Sequence, residues 1–235
     1  MTTTILTQPD ALAAAPRWRV VLSIFKLRIG VLIMLTALAG LAIAPGPAPA
    51  AWKVLVMALM VLVSSAAAGA FNQYVEAESD RLMKRTRNRA FASGLLKTGP
   101  LWMGLIVGLL AAAVATTWAV LNGAAAVYLF LGAFTYAVVY TVGLKRRTWM
   151  NIVFGGLAGS FAVLTGAAAV DPSIGALPLL LALVLFLWTP PHFWSLAIAN
   201  RDDYAAAGIP MLPGVVGPAR AGRIVHANAI VLVAA

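Results

Sequence analysis

Carboxylates are scarce in this chain, and their placement is the first sign of chemistry. Of seven acidic residues among 235, five fall in two short stretches. The first is Phe71-Asn72-Gln73-Tyr74-Val75-Glu76-Ala77-Glu78-Ser79-Asp80, and the second is Asn200-Arg201-Asp202-Asp203-Tyr204. Asn72, Glu76 and Asp80 follow one another at four-residue intervals, so a helix through this stretch stacks their oxygens on one face. Three hard oxygen donors on one stripe suit Mg2+, an ion commonly held by one or two carboxylates together with substrate phosphates. Arg81, Lys84, Arg85, Arg87 and Arg89 come directly after and could take up the charge of a diphosphate. A solvated interfacial helix laced with salt bridges has the same spacing, so on this stretch alone both readings stand. The pair Asp202 and Asp203 shifts the balance, because two acidic loops distant in sequence could clamp one diphosphate between two metal ions. Glu78 falls on the opposite helix face as a solvated charge, and Asp171 precedes Pro172 as a turn residue.

The elements that position these loops are transmembrane helices. The chain is 62% hydrophobic and 10% charged, too little polar surface for a soluble globule. Apolar segments at 22–44, 51–71, 100–121, 124–143, 149–170 and 176–199 each come near the roughly 20 residues that cross a bilayer core. The fold class is therefore all-α: a polytopic transmembrane bundle of six complete spans, with a seventh beginning near Ile224 and truncated at Ala235. Residues 1–16 read as a disordered cytoplasmic tail, and residues 17–235 as one membrane domain.

Charge gives the topology independently. Arg17, Arg19, Lys26 and Arg28 open the first span; the basic run from Arg81 to Lys97 follows the second; Lys145, Arg146 and Arg147 follow the fourth; Arg201, Arg220 and Arg223 follow the sixth. The intervening turns carry no basic residue, and of 17 lysines and arginines only Lys53 lies near the other side. The positive-inside rule makes the charged side cytoplasmic, which puts both acidic loops there. A net charge of +10 in this setting points to topology and anionic headgroups rather than to nucleic acid. With no cysteine, thiolate catalysis, disulfides and Cys-based metal sites are excluded.

The motif Asn72-x3-Glu76-x3-Asp80, followed by Met83-Lys84-Arg85-Thr86 and Arg89, resembles the first aspartate-rich motif of the intramembrane aromatic prenyltransferases. Within them the chain is most similar to the protoheme IX farnesyltransferases, which make heme O. Tyr140-Thr141, Leu144-Lys145-Arg146-Arg147-Thr148, Asn151-Ile152-Val153 and Gly155-Gly156-Leu157-Ala158-Gly159 resemble that family's central signature. Trp188-Thr189-Pro190-Pro191-His192-Phe193-Trp194, running into Arg201-Asp202-Asp203-Tyr204 and Gly208-Ile209-Pro210-Met211-Leu212-Pro213, resembles its most distinctive stretch. The resemblance covers roughly residues 20–235. The chain departs from the family pattern at Arg89-Ala90, at Ala162-Val163 and at Gly166-Ala167; Asn200 and Tyr204 stand where related quinone prenyltransferases have aspartates.

The resemblance implies nine spans in two pseudo-repeated halves and a bacterial inner-membrane location. It implies farnesyl diphosphate and heme B as substrates and Mg2+ as cofactor, with Asn72, Glu76, Asp80, Asp202 and Asp203 as catalytic metal ligands. Arg85, Arg89, Lys145 and Arg201 would then bind the diphosphate. His192, at the depth of a span where an ionisable residue is a functional candidate, would contact heme, with Trp194 beside it and His226 as a further contact. A histidine hydrogen-bonded between helices is the alternative for His192. Trp188, Phe193, Trp194 and Tyr204 either line a substrate pocket or belong to an interfacial aromatic belt. Three functions stay open: this farnesyl transfer, prenylation of a quinone precursor or other aromatic acceptor, and a transporter or scaffold without catalysis. The acids lie at helix ends on one side rather than at the midplane, which argues against a transporter.

Overall fold

The computed structural model describes residues 15–234, and among them every regular element is helical. The expected tail therefore lies outside the described residues except for Ala15 and Pro16, of which Ala15 packs against the first apolar cluster.

The first span is broken. Helices α1 (Arg17–Ile24) and α2 (Leu27–Ile43) meet at 43°. Lys26 sits at the junction in the left-handed region, with φ 48° and ψ 43°. A break of this kind frees carbonyls that lipid cannot satisfy. Gln73, from the next span, answers this by donating its side-chain N–H to Ser23 O and Ile24 O, both at 3.1 Å. The second span, α3 (Ala51–Val75), owes its packing to a run of small residues, Ala66 to Ala70, all buried. Small side chains let helix backbones approach where no hydrophobic force acts between them. After Glu76 the chain re-enters a short helix, α4 (Ala77–Leu82).

Helix α5 (Pro100–Val120) starts with proline in its first turn, where a missing N–H costs nothing. Asn122 caps α6 (Gly123–Phe134) by accepting from Ala125 N at 2.9 Å, and its amide also donates to Ala168 O at 2.7 Å. The fourth span then continues without interruption as a π-helix, Thr135–Leu144. Helices α7 (Asn151–Gly155) and α8 (Leu157–Ala168) form the fifth span, and α9 (Ala176–Ala199) the sixth, with Pro190 and Pro191 inside it. Two short helices, α10 (Arg201–Ala206) and α11 (Leu212–Val216), lead to α12 (Pro218–Ala234) along α9. Helix α12 begins six residues before Ile224, because Arg220 and Arg223 reach outward and need not interrupt a helix.

Five helices are long and apolar enough to cross a membrane, six when the bent α1–α2 pair counts as one. That agrees with the six complete spans read from hydropathy. Exposed apolar residues such as Leu101, Trp118 and Val233 would be a fault in water and are ordinary against lipid. At the crossing of α2 and α8 the backbones all but touch: a Cβ on Gly40 would meet Val163 O, and one on Gly166 would meet Ala37 O. Asp171 occupies the turn before α9, its carboxylate accepting from the Ser173 N–H and hydroxyl at 2.9 and 2.6 Å, which holds its carboxyl below the usual carboxylate range.

Candidate active site

A cavity of about 1600 Å³ runs between α2, α3, the fourth span, α8 and α9. Its deep part is apolar, bounded by residues such as Leu32, Val61, Leu129 and Leu185. Its other end, where the basic loops lie, is polar.

Asn72, Glu76 and Asp80 all line that polar end, and all are buried. The helix changes course between α3 and α4, yet Glu76 N still donates to Asn72 O at 3.0 Å and Asp80 N to Glu76 O at 2.8 Å. The four-residue spacing therefore keeps its meaning through the break. Each of the three side chains faces a cation or its neighbour. Lys145 Nζ lies 2.6 Å from Glu76 Oε2, Arg89 Nη1 lies 2.7 Å from Asp80 Oδ2, and Lys26 Nζ donates to Asn72 Oδ1 at 2.5 Å. Buried charges are tolerated only in such pairs. Asp80 Oδ1 is buried without a partner, the kind of oxygen a hard cation meets. Three oxygen donors on one wall, one of them unsatisfied, fit Mg2+. Among the described residues no three or more His, Cys, Asp and Glu side chains alone form a metal cluster.

The π-helix supplies the facing wall. Its wider turn aligns residues five apart: Thr141 Oγ1 donates to Tyr136 O at 2.8 Å, and Lys145 N to Tyr140 O at 2.9 Å. Tyr136, Tyr140 and Lys145 all border the cavity as a result, the two rings stacked at 5.7 Å with planes 14° apart. Asn72 Nδ2 reaches across to Thr141 Oγ1 at 3.1 Å, and Lys26 Nζ donates to Tyr136 OH at 3.2 Å. Gly155 admits this wall, since a Cβ there would come within 3.0 Å of Tyr140, and Gly156 in the same way makes room for Thr189 of α9.

The second acidic loop departs from its expected role. Asn200 and Tyr204 border the cavity, one helical turn apart, whereas Asp202 and Asp203 do not. The Asp202 side chain is 93% exposed and pairs with Arg201 in solvent at 3.2 Å. Asp203 turns to the first loop, accepting from Lys84 N at 3.2 Å and Arg85 N at 3.1 Å. The reason is helical phase: α10 presents positions four apart to the cavity and the residues between them elsewhere. Asp202 and Asp203, expected as metal ligands, and Arg201, expected at the diphosphate, thus do not border the cavity with Asn72, Glu76 and Asp80, while Arg85 and Arg89 do.

On α9, Trp188, His192 and Phe193 line the cavity, with the His192 ring stacked on Trp188 at 4.3 Å and 17°. Trp194, expected beside His192 at the heme, is not on the cavity wall and is buried against Trp149 with ring centroids 6.0 Å apart. His226 is exposed on α12 away from the cavity. Lys26, Tyr136 and Thr141 were not singled out by the sequence as site residues. A lysine at the break of an apolar span was the available signal for the first; nothing in the residue pattern announces a π-helix.

Comparison with known proteins gives one consistent picture. The model of the UbiA prenyltransferase family matches residues 33–235. The chain is 57% identical over 216 residues to protoheme IX farnesyltransferase 2 of Paramagnetospirillum magneticum, covering 92% of this chain and 75% of that one. It is 49% identical to protoheme IX farnesyltransferase 1 of the same organism, covering 93% and 76%. Among solved structures, a UbiA homolog from Archaeoglobus fulgidus bound to DMAPP and Mg2+ superimposes with a TM-score of 0.77 at 17% identity, over 90% of this chain and 74% of that one. An apo UbiA homolog from Aeropyrum pernix K1 gives 0.72 at 21% identity, over 88% and 78%. At such identities these structures speak to the fold.

Proposed function

The chain belongs to the UbiA prenyltransferase family, and on that premise we propose that it transfers the farnesyl group of farnesyl diphosphate to a vinyl group of protoheme IX, giving heme O. The observation that supports the reaction class is a large apolar chamber ending in two buried carboxylates, each paired with a cation. The acceptor follows from the relatives, which are named for protoheme IX.

Prenyl transfer requires that a diphosphate leave and that the allylic cation meet carbon before water. Asn72, Glu76 and Asp80 would hold Mg2+, which would supply Lewis-acid neutralisation of the leaving group. Lys145, Arg89, Lys26 and Arg85 bind the remaining phosphate oxygens, Lys145 and Arg89 exchanging part of their pairing with Glu76 and Asp80 for the more highly charged substrate. The bond between the first farnesyl carbon and its oxygen breaks with both electrons going to diphosphate. The vinyl group then donates its π electrons to form the new carbon–carbon bond, and the resulting porphyrin-side cation takes up water and releases a proton. The apolar chamber keeps bulk water out until that bond exists. His192, stacked on Trp188, offers a flat aromatic surface for the porphyrin and a ring nitrogen within the cavity. The concentration of basic residues in these loops supports a cytoplasmic position for this end of the cavity, in a bacterial inner membrane.

The test is to incubate membranes holding the chain with heme B and farnesyl diphosphate, with and without magnesium, and to identify the product by mass. Heme O forms only with the metal, and Asp80→Ala lowers turnover at least about 100-fold, the usual size of loss for a group that stabilises developing charge. Undiminished turnover in that variant removes the metal assignment, and a prenylated quinone precursor in place of heme O reassigns the acceptor.

A further inference from the structure

Helix α10 acts twice on one residue of the opposite loop. The Asp203 carboxylate accepts from the backbone N–H of Lys84 through Oδ1 at 3.2 Å and from that of Arg85 through Oδ2 at 3.1 Å. The next residue, Tyr204, takes the head of the same arginine: Arg85 Nη2 donates to the Tyr204 hydroxyl at 3.5 Å, and the guanidinium carbon lies 6.0 Å from the ring centroid. Arg85 is therefore fixed at its backbone and at its guanidinium by adjacent residues more than a hundred positions away.

The two amides need such a partner. Helix α4 ends at Leu82 and Met83 is extended, with φ −101° and ψ 130°. The N–H groups of Thr86 and Arg87 return to Met83 O, while among the described residues those of Lys84 and Arg85 make no backbone hydrogen bond. Successive free N–H groups of this kind form a concavity that takes an anion, and the Asp203 carboxylate is the anion present. Apolar packing braces the same junction: Met83 from the first loop is buried in one cluster with Ile209, Met211 and Leu212 from the second.

Arg85 and Tyr204 border the cavity and Asp203 does not. The geometry points to Asp203 as a positioning residue, which holds the Lys84–Arg85 turn so that Arg85 meets the diphosphate and which acts on the substrate only through Arg85. This rests on the diphosphate reading of the cavity given above. It also assigns the second loop a role that needs no metal: it sets a cation of the first loop in place.

Hydrogen–deuterium exchange on the detergent-solubilised chain reads the clasp without turnover. Asp203→Ala raises exchange at the Lys84 and Arg85 amides roughly tenfold, as the loss of two ordinary hydrogen bonds allows, and Asp203→Asn, which keeps one acceptor oxygen, raises it less. Unchanged exchange in both variants overturns the clasp, whereas a parent chain that makes no prenylated product overturns the functional reading instead. Kinetics then separate positioning from metal binding. Asp203→Ala and Arg85→Ala each raise KM for farnesyl diphosphate about tenfold, the double variant is no worse than Arg85→Ala, and the magnesium concentration for half-maximal rate stays that of the parent. Effects that multiply in the double variant, or a raised magnesium requirement in Asp203→Ala, overturn the proposal. Where Asp203→Ala does not fold, the same measurements on Asp203→Asn decide it.

Discussion

At the scale of single residues, the site is a set of charges that exist because they are paired. Glu76 and Lys145 are both buried, and removing one leaves the other without compensation in a low-dielectric interior. Glu76→Gln should therefore lower unfolding stability in detergent by about 3–5 kcal/mol, and Glu76→Gln with Lys145→Met should recover most of it. A single variant as stable as the parent would show that water or lipid headgroups already screen the pair. Lys26 is a second test. Its ammonium holds Asn72 Oδ1 and the Tyr136 hydroxyl, so Lys26→Ala should cost at least about tenfold in turnover, while Arg28→Ala, exposed two residues on, should not. Initial rates with heme B and farnesyl diphosphate decide between them. The positions of Asn72, Glu76 and Asp80 were legible because their spacing survives a break in the helix. Of their partners, Arg89 and Lys145 were singled out only through the family resemblance, while Lys26 comes from another span and looks, in one dimension, like topogenic charge.

At the scale of elements, two local departures from the α-helix shape the cavity. One is the bend at Lys26, which turns a lysine inward and is satisfied by Gln73. The other is the π-helical end of the fourth span, whose wider turn brings Tyr136, Tyr140 and Lys145 to one wall. Hydropathy sees both segments only as apolar, since it sums side chains and is blind to hydrogen-bond register. The crossing of α2 and α8 is the rigid counterpart. Gly166→Ala forces a Cβ against Ala37 O, where backbone rather than a flexible side chain must move. Overpacking there should cost at least about 1–3 kcal/mol, read as a lower melting temperature in detergent, whereas Gly108→Ala on α5, with open space around it, should not destabilise. An unchanged melting temperature for Gly166→Ala would mean that the two helices can separate freely.

At the scale of the whole molecule, the cavity is polar at one end and apolar over the rest, and the basic loops gather at the polar end. That asymmetry suits a substrate with a charged head and an isoprenoid tail, the head entering from the face that carries the basic loops. The chain contains no cysteine, so single introduced thiols report orientation cleanly. Lys97→Cys, in the exposed loop after α4, should resist a membrane-impermeant maleimide until the cytoplasmic face is opened. Ala48→Cys, in the opposite turn, should react from outside. The reverse pattern would invert the topology and move the diphosphate site to the wrong compartment.

The sequence alone determined the membrane class, the six spans, their alternation and the first acidic stripe. These follow from composition, charge and helical spacing, which act between neighbours in the chain. The tertiary structure decided which of those charges share a space. Helical phase turned Asp202 to solvent and Asp203 to the Lys84–Arg85 turn, while Asn200 and Tyr204 took the cavity wall. It also set Trp194 against Trp149 and left His192 facing the chamber. Contacts of that kind depend on how distant helices are rotated about their axes, and rotation is settled by packing across the whole bundle rather than by any local run of residues.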